Sequence, residues 1–144
     1  MNLQSKIQRY IKLLERAQSD YDTATEMLAS AQQQVSALAH QVAELQQYAD
    51  QLSTPEGVAL AQQMLQRRQY LAQVFRAIEQ LNGQQEAAEQ ALVRAQHRWR
   101  EARAQMKAME QLVKKYQQAQ LEQDAQAEQR SLDERAAWQY QTRQ

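Results

Sequence analysis

An unbroken alternation of four- and three-residue steps runs through the first third of this 144-residue chain. It passes through Leu3, Ile7, Tyr10, Leu14, Ala17, Tyr21, Ala24, Leu28, Ala31, Val35, Leu38, Val42, Leu45, Ala49 and Leu52. That 3.5-residue period is the a/d seam of a coiled coil, held for about seven heptads. A second seam runs through Met64, Arg67, Leu71, Val74, Ile78, Leu81, Gln85, Ala88, Leu92, Ala95, Trp99, Ala102, Met106, Met109, Val113 and Tyr116. Only Arg67 and Gln85 interrupt its apolar character. A period below 3.6 drifts around a straight helix, so a pair of such helices winds left-handed.

Composition agrees with long helices. The chain has 31 Gln and 24 Ala against two Gly and one Pro, so helix formers dominate and breakers are scarce. Large apolar side chains are too few for a compact globular core. With no cysteine, neither a disulfide framework nor a thiolate metal site is available. No apolar run approaches the length of a membrane span, and the start is not a signal peptide. The expectation is a soluble cytoplasmic protein.

The seams are separated by Ser53-Thr54-Pro55-Glu56-Gly57, which holds the only proline and one of the two glycines. Thr54 suits a helix cap ahead of Pro55, whose missing N–H costs nothing at the first helical position. Ser53 and Glu56 have capping-box spacing. The chain therefore turns here and its two helices pair antiparallel. The fold class expected is all-α: two long helices forming a left-handed antiparallel coiled-coil hairpin with a C-terminal helical overhang. Residues 1–144 form one coiled-coil domain, with helix 1 over about 2–52 and a turn or tip over about 53–63. Helix 2 covers about 58–116 and continues as the overhang to about 140. Gly83, after Asn82, is a weak point within a seam that stays in phase, at a cost of about 1 kcal/mol.

Side-chain size suggests the register. Opposing Leu14 to Ala102, Ala17 to Trp99, Tyr21 to Ala95, Ala24 to Leu92 and Leu28 to Ala88 alternates large with small over five layers, as close packing asks. Leu3 then faces Val113, and everything after about Tyr116 is unpaired. Fifty residues at 1.5 Å each give a rod about 75 Å long. Because the seam is consumed internally, the rod is expected to be monomeric.

Net charge is zero, yet the charges are segregated. Residues 17–66 contain six acids and no Lys or Arg. Basic residues gather in 1–16 (Lys6, Arg9, Lys12, Arg16) and in 94–115. Zero net charge and the lack of interleaved aromatics argue against nucleic acid as a partner. The two histidines, His40 and His97, lie far apart without a carboxylate or cysteine cluster. There is no phosphate loop and no nucleophile motif, so no enzymatic activity, metal or cofactor is expected. Tyr48 and Tyr70 sit at g positions on one flank, at nearly the same level in this register, and Phe75 sits at an e position on the other. Exposed aromatics of this kind suit a partner interface.

The last stretch, EQRSLDERAAWQYQ (Glu128 to Gln141), leaves the seam rule. It contains a second capping-box spacing, Ser131 to Glu134, which starts a final short helix or holds a kink. Leu132, Ala136 and Tyr140 share a face at four-residue spacing.

WREARAQMKAMEQLVKKYQQAQLEQDAQAEQRSLDERA, Trp99 to Ala136, resembles the C-terminal signature of the FliJ family, small coiled-coil proteins of the flagellar export apparatus. The carriers are Trp99 before a basic heptad, the EQLVKKY block (Glu110 to Tyr116), an acidic-Gln linker and EQR-x-LDE ending at Glu134. RRQYLAQVFRAIEQL, Arg67 to Leu81, resembles the family's aromatic-bearing segment after the turn. The resemblance implies a stalk similar to the shaft of rotary ATPases, with no cofactor. Its implied partners are the hexameric export ATPase, the membrane export gate and export chaperones. It implies a cytoplasmic protein held peripherally at the inner membrane by the export apparatus. ATPase-ring contacts would fall on Arg100, Arg103, Lys107, Tyr116, Leu132, Asp133 and Glu134, and gate contacts on Leu45, Tyr48, Tyr70 and Val74. Two other readings share the architecture: the equivalent stalk of a virulence-type injectisome, and a self-associating structural coiled coil.

Overall fold

The structure, a computed structural model, describes residues 2–53 and 61–143. It consists of α1 (Leu3–Ser53) and α2 (Ala61–Arg143), the all-α coiled-coil hairpin that the two seams require. Asn2 caps α1: its Oδ1 accepts the Ser5 N–H at 2.8 Å, so one of the helix's orphan donors is satisfied. The signal for that cap was an Asn directly before the first seam residue. Ser53 closes the same helix. Its hydroxyl donates to the Ala49 carbonyl at 2.8 Å, so Ser53 serves the end of α1. The proposed caps at Thr54 and Pro55 and the partner Glu56 lie outside the described residues.

Burial follows the seams. All fifteen α1 seam residues are buried or half-buried, and off the seam only Lys6 and Ile11 of α1 join them. On α2 the seam holds from Arg67 to Tyr116 and continues one step to half-buried Gln120. Its expected first member, Met64, fails: it is 56 % exposed, and every residue from Ala61 to Gln66 is exposed. Among the described residues, four of the nine buried apolar ones are alanines (Ala17, Ala24, Ala49 and Ala95). Each contributes about 0.8 kcal/mol through its one methyl, so the core is thin and its larger members carry most of the stabilisation.

The packing divides into two units, residues 23–99 and residues 1–22 with 100–144. In the first, Ala49, Val74 and Ile78 form a buried cluster with Leu45, Leu52 and Leu71 packed on it. Near its other end, the Trp99 indole N–H donates to the Thr25 hydroxyl at 3.1 Å. In the second, the rings of Tyr10 and Tyr116 stack 5.1 Å apart at 11°. These contacts correct the register. Trp99 was expected opposite Ala17 and instead meets Thr25, eight positions on. Counting from the Ala49–Val74 cluster, Ala24 falls opposite Trp99, Leu28 opposite Ala95, Ala31 opposite Leu92 and Val35 opposite Ala88. Large still meets small. A one-heptad slide preserves the size alternation, so size alone did not select between the two registers. The slide also gives the indole N–H a hydroxyl partner, which a half-buried Trp needs, where Ala17 offered none.

The tail departs from expectation as well. α2 runs uninterrupted through Ser131 and Glu134, so the capping-box spacing there neither starts a helix nor breaks one. The helix also passes through Gly83, where an added Cβ would meet nothing within 4 Å. Gly83→Ala therefore removes the glycine's backbone entropy cost without a clash. It should stabilise the chain by about 1 kcal/mol, raising the thermal midpoint by about 3 °C, read by circular dichroism at 222 nm.

Candidate functional site

Two regions hold the residues singled out in the sequence. The first belongs to the unit of residues 1–22 with 100–144. Arg100, Arg103 and Lys107 are exposed, and steps of three and four keep them on one side of α2. Tyr116 is half-buried. It stacks on Tyr10, and Lys6 Nζ lies over its ring, 5.8 Å from the centroid. The ammonium sits within range of the ring's negative face, so Tyr116 is clamped from α1. Sequence reasoning missed that clamp because it placed Tyr10 level with the wrong part of α2.

Beyond Gln120 every described residue of α2 is exposed, from Leu121 to Arg143. The unpaired segment thus begins about four residues later than the expected start after Tyr116. It is helix without a core. It needs no separate nucleation, because it propagates from the paired part of α2. Local bonds support it: Gln120 Nε2 donates to Asp124 Oδ1 at 3.2 Å and Gln129 Nε2 to Asp133 Oδ1 at 3.1 Å. Such i,i+4 pairs are worth about 0.2–0.5 kcal/mol each. At the end, the Thr142 hydroxyl lies 3.1 Å from the Trp138 carbonyl and 3.0 Å from that of Gln139. The segment displays Leu121, Leu132, Trp138 and Tyr140, each more than half exposed. Leu132 is flanked by exposed Asp133 and Glu134, with Ser131, Glu134, Arg135, Trp138 and Gln139 lining a shallow cleft. Trp138 and Tyr140 were visible in the sequence as late aromatics. No seam position explained them.

The second region lies in the unit of residues 23–99. Tyr48 is 45 % and Tyr70 is 60 % exposed, so both remain available to a partner. They are not at one level. Tyr70 precedes Leu71, which packs near Leu52, and Leu52 lies one helical turn, about 6 Å, beyond Tyr48. Val74 is buried at 8 % and Leu45 packs on its cluster. Both support the face from beneath and present little surface of their own. Phe75, on the other flank, is exposed.

His40 has a single carboxylate neighbour. Its Nε2 lies 3.0 Å from Glu44 Oε1, one turn along an exposed face. No group of three or more His, Cys, Asp or Glu suited to a metal is found among the described residues. No described helix is long and apolar enough to cross a membrane.

The aromatic clamp is directly testable. A double-mutant cycle with Tyr10→Leu and Tyr116→Leu in urea unfolding should give a coupling of about 1 kcal/mol. A coupling near zero would mean that the rings do not stack in solution.

Against known proteins, the family model described as "Flagellar FliJ protein" matches residues 5–144. Neither the comparison with curated proteins nor that with solved structures gives a match.

Proposed function

The chain belongs to the FliJ family, and is thereby a component of the flagellar export apparatus; from that premise we propose that it acts as the stalk of the apparatus. The reading makes it a structural coupling element that performs no chemistry and needs no cofactor. Its unpaired helix, Leu121 to Arg143, enters the export ATPase hexamer. Leu132, Asp133 and Glu134 make contacts there, and Arg100, Arg103 and Lys107 meet acidic surface at the mouth. Tyr116 contributes by fixing the root of the extension against Tyr10. The face bearing Tyr48 and Tyr70 meets the membrane export gate, with Leu45 and Val74 as its floor. Export chaperones dock on the same molecule. In this role the protein is cytoplasmic and reaches the inner membrane only through its partners.

One observation supports this reading above the others: 23 consecutive helical residues that pack on nothing and carry four large apolar side chains. Ordered but uncovered apolar surface of this kind usually marks a partner site. A helix about 35 Å long and one helix wide is slender enough to enter the central opening of a protein ring. A self-sufficient structural coiled coil has no use for it.

The test is affinity capture of the tagged chain from its host, with partners identified by mass. Removing residues 121–144 should abolish recovery of the hexameric ATPase and leave the multi-span gate. Tyr48→Ala with Tyr70→Ala should do the reverse. Because 121–143 are exposed, the truncated chain should keep its thermal midpoint, which separates loss of binding from loss of fold. Retention of the ATPase by the truncated chain would end the assignment of the tail.

A further inference from the structure

We propose that a groove in the unit of residues 23–99 is a docking site for an amphipathic helix of another protein, one that carries carboxylates along a single edge. The groove lies on the flank built from g and c positions of both helices. Its volume is about 530 Å³, and Met27, Ala31, Ala88, Ala91, Arg94 and Arg98 are among the residues that line it. Met27 stands 48 % exposed, an adaptable apolar side chain on the α1 wall. Arg94 and Arg98 form the α2 wall, both exposed.

Charge selects the occupant. Neither guanidinium has a hydrogen-bond or ion-pair partner among the described residues. Between Asp20 and Glu44 the same flank of α1 presents Thr23, Met27, Ser30, Gln34, Ala37 and Gln41, none of them charged. On α2 the flank positions from Tyr70 to Ala91 are uncharged as well. The two arginines are therefore the only charges at the groove, both positive and both on one wall. They are four residues apart, about 6 Å along α2. Carboxylates at four-residue spacing on a partner helix match them, and the partner's other edge must be uncharged to lie against Ser30 and Gln34. Guanidinium–carboxylate pairs of this kind fix orientation as well as identity.

The walls dictate a helix. The groove is bounded by the interiors of α1 and α2, where every backbone N–H and C=O is used within its own helix. An extended segment would find no backbone partner here, whereas a helix satisfies its own backbone and presents only side chains. A flat anionic surface fits less well: exposed Glu26 stands on the outer face of α1 beside the groove, and a membrane would meet it first.

The experiment is fluorescence anisotropy with the purified full chain and a labelled synthetic peptide of about 18 residues, long enough to be helical in an Ala/Gln background. The peptide carries leucines along one stripe and glutamates along one edge. A control peptide has lysines in place of the glutamates. No other component is present, so the outcome is independent of the export reading. The glutamate peptide should bind with a dissociation constant of about 100 µM, as suits an interface below about 1,200 Å², and at least about tenfold tighter than the lysine peptide. Arg94→Glu with Arg98→Glu should reverse that preference. Lys114→Glu with Lys115→Glu makes the same charge change elsewhere on α2 and should alter binding by less than about twofold. Ala91→Leu fills the recess and should weaken binding by about fivefold or more. Circular dichroism checks that each variant keeps its helicity. Equal binding of the two peptides overturns the proposal. So does full affinity in the Arg94/Arg98 or Ala91 variants, or a loss as large in the Lys114/Lys115 variant. A chain that ignores the glutamate peptide yet binds phosphatidylglycerol vesicles through Arg94 and Arg98 overturns it in favour of a lipid surface.

Discussion

Everything here depends on interhelical packing in which a large side chain on one helix faces a small one on the other. Val35 against Ala88, Ala31 against Leu92, Leu28 against Ala95 and Ala24 against Trp99 are successive layers of that kind. Each of these four layers buries little, because one member is small. Stability comes from repetition along the seam. That makes the structure tolerant of a single poor layer, such as the one containing Gln85, and of a glycine on the outer face at position 83. It also makes the register a collective property. Trp99 with Thr25, Ala49 with Val74 and Tyr10 with Tyr116 all specify nearly the same offset.

The offset has consequences at both ends of the seam. α1 has 51 residues and α2 has 83, so α2 must expose helix that α1 does not cover. It does so over Leu121 to Arg143 and again over Ala61 to Gln66. The longer exposed segment cannot rely on burial. It consists of good helix formers with Gln-to-Asp bonds, and its large apolar groups wait for a surface outside the chain. Membership of the FliJ family gives that surface a setting in the flagellar export apparatus. The two flanks of unit 23–99 differ in charge. One is acidic on α2; the other is neutral, Gln- and Ala-rich, and bounded by opposite charges.

How much of this was legible in the residues varied with the physics involved. Seam membership was read almost completely, because a 3.5-residue period survives any register. All fifteen seam residues from Leu3 to Leu52 are buried or half-buried, as the spacing required. Register was misread by about one heptad. The alternation of alanine with larger residues repeats at that interval, so two alignments satisfy it, and only the Trp99 indole and the two tyrosines distinguish them. Met64 had the right spacing and is nonetheless exposed; the stretch that would face it lies outside the described residues. Ser131 and Glu134 had capping-box spacing, but that signal competes with helix propagation through Gln- and Ala-rich sequence, and propagation won. The proposed contact residues fared according to position. Tyr48, Tyr70 and Leu132 are accessible, whereas Val74, on the seam, is in the core. The neutral flank with its terminal arginines was not noticed in the sequence, because its two halves come together only once the register is known.

The chain's lack of cysteine makes the central claim, internal pairing at this offset, open to one measurement. Two double-cysteine variants are oxidised at low protein concentration and analysed by intact mass and non-reducing electrophoresis. Ala49→Cys with Val74→Cys joins neighbours in the observed cluster; Val42→Cys with Val74→Cys joins the neighbours of the alternative register. The account requires rapid intramolecular closure of the first pair and little of the second. Preferential closure of the second pair, or bridges formed mainly between separate chains, would contradict it.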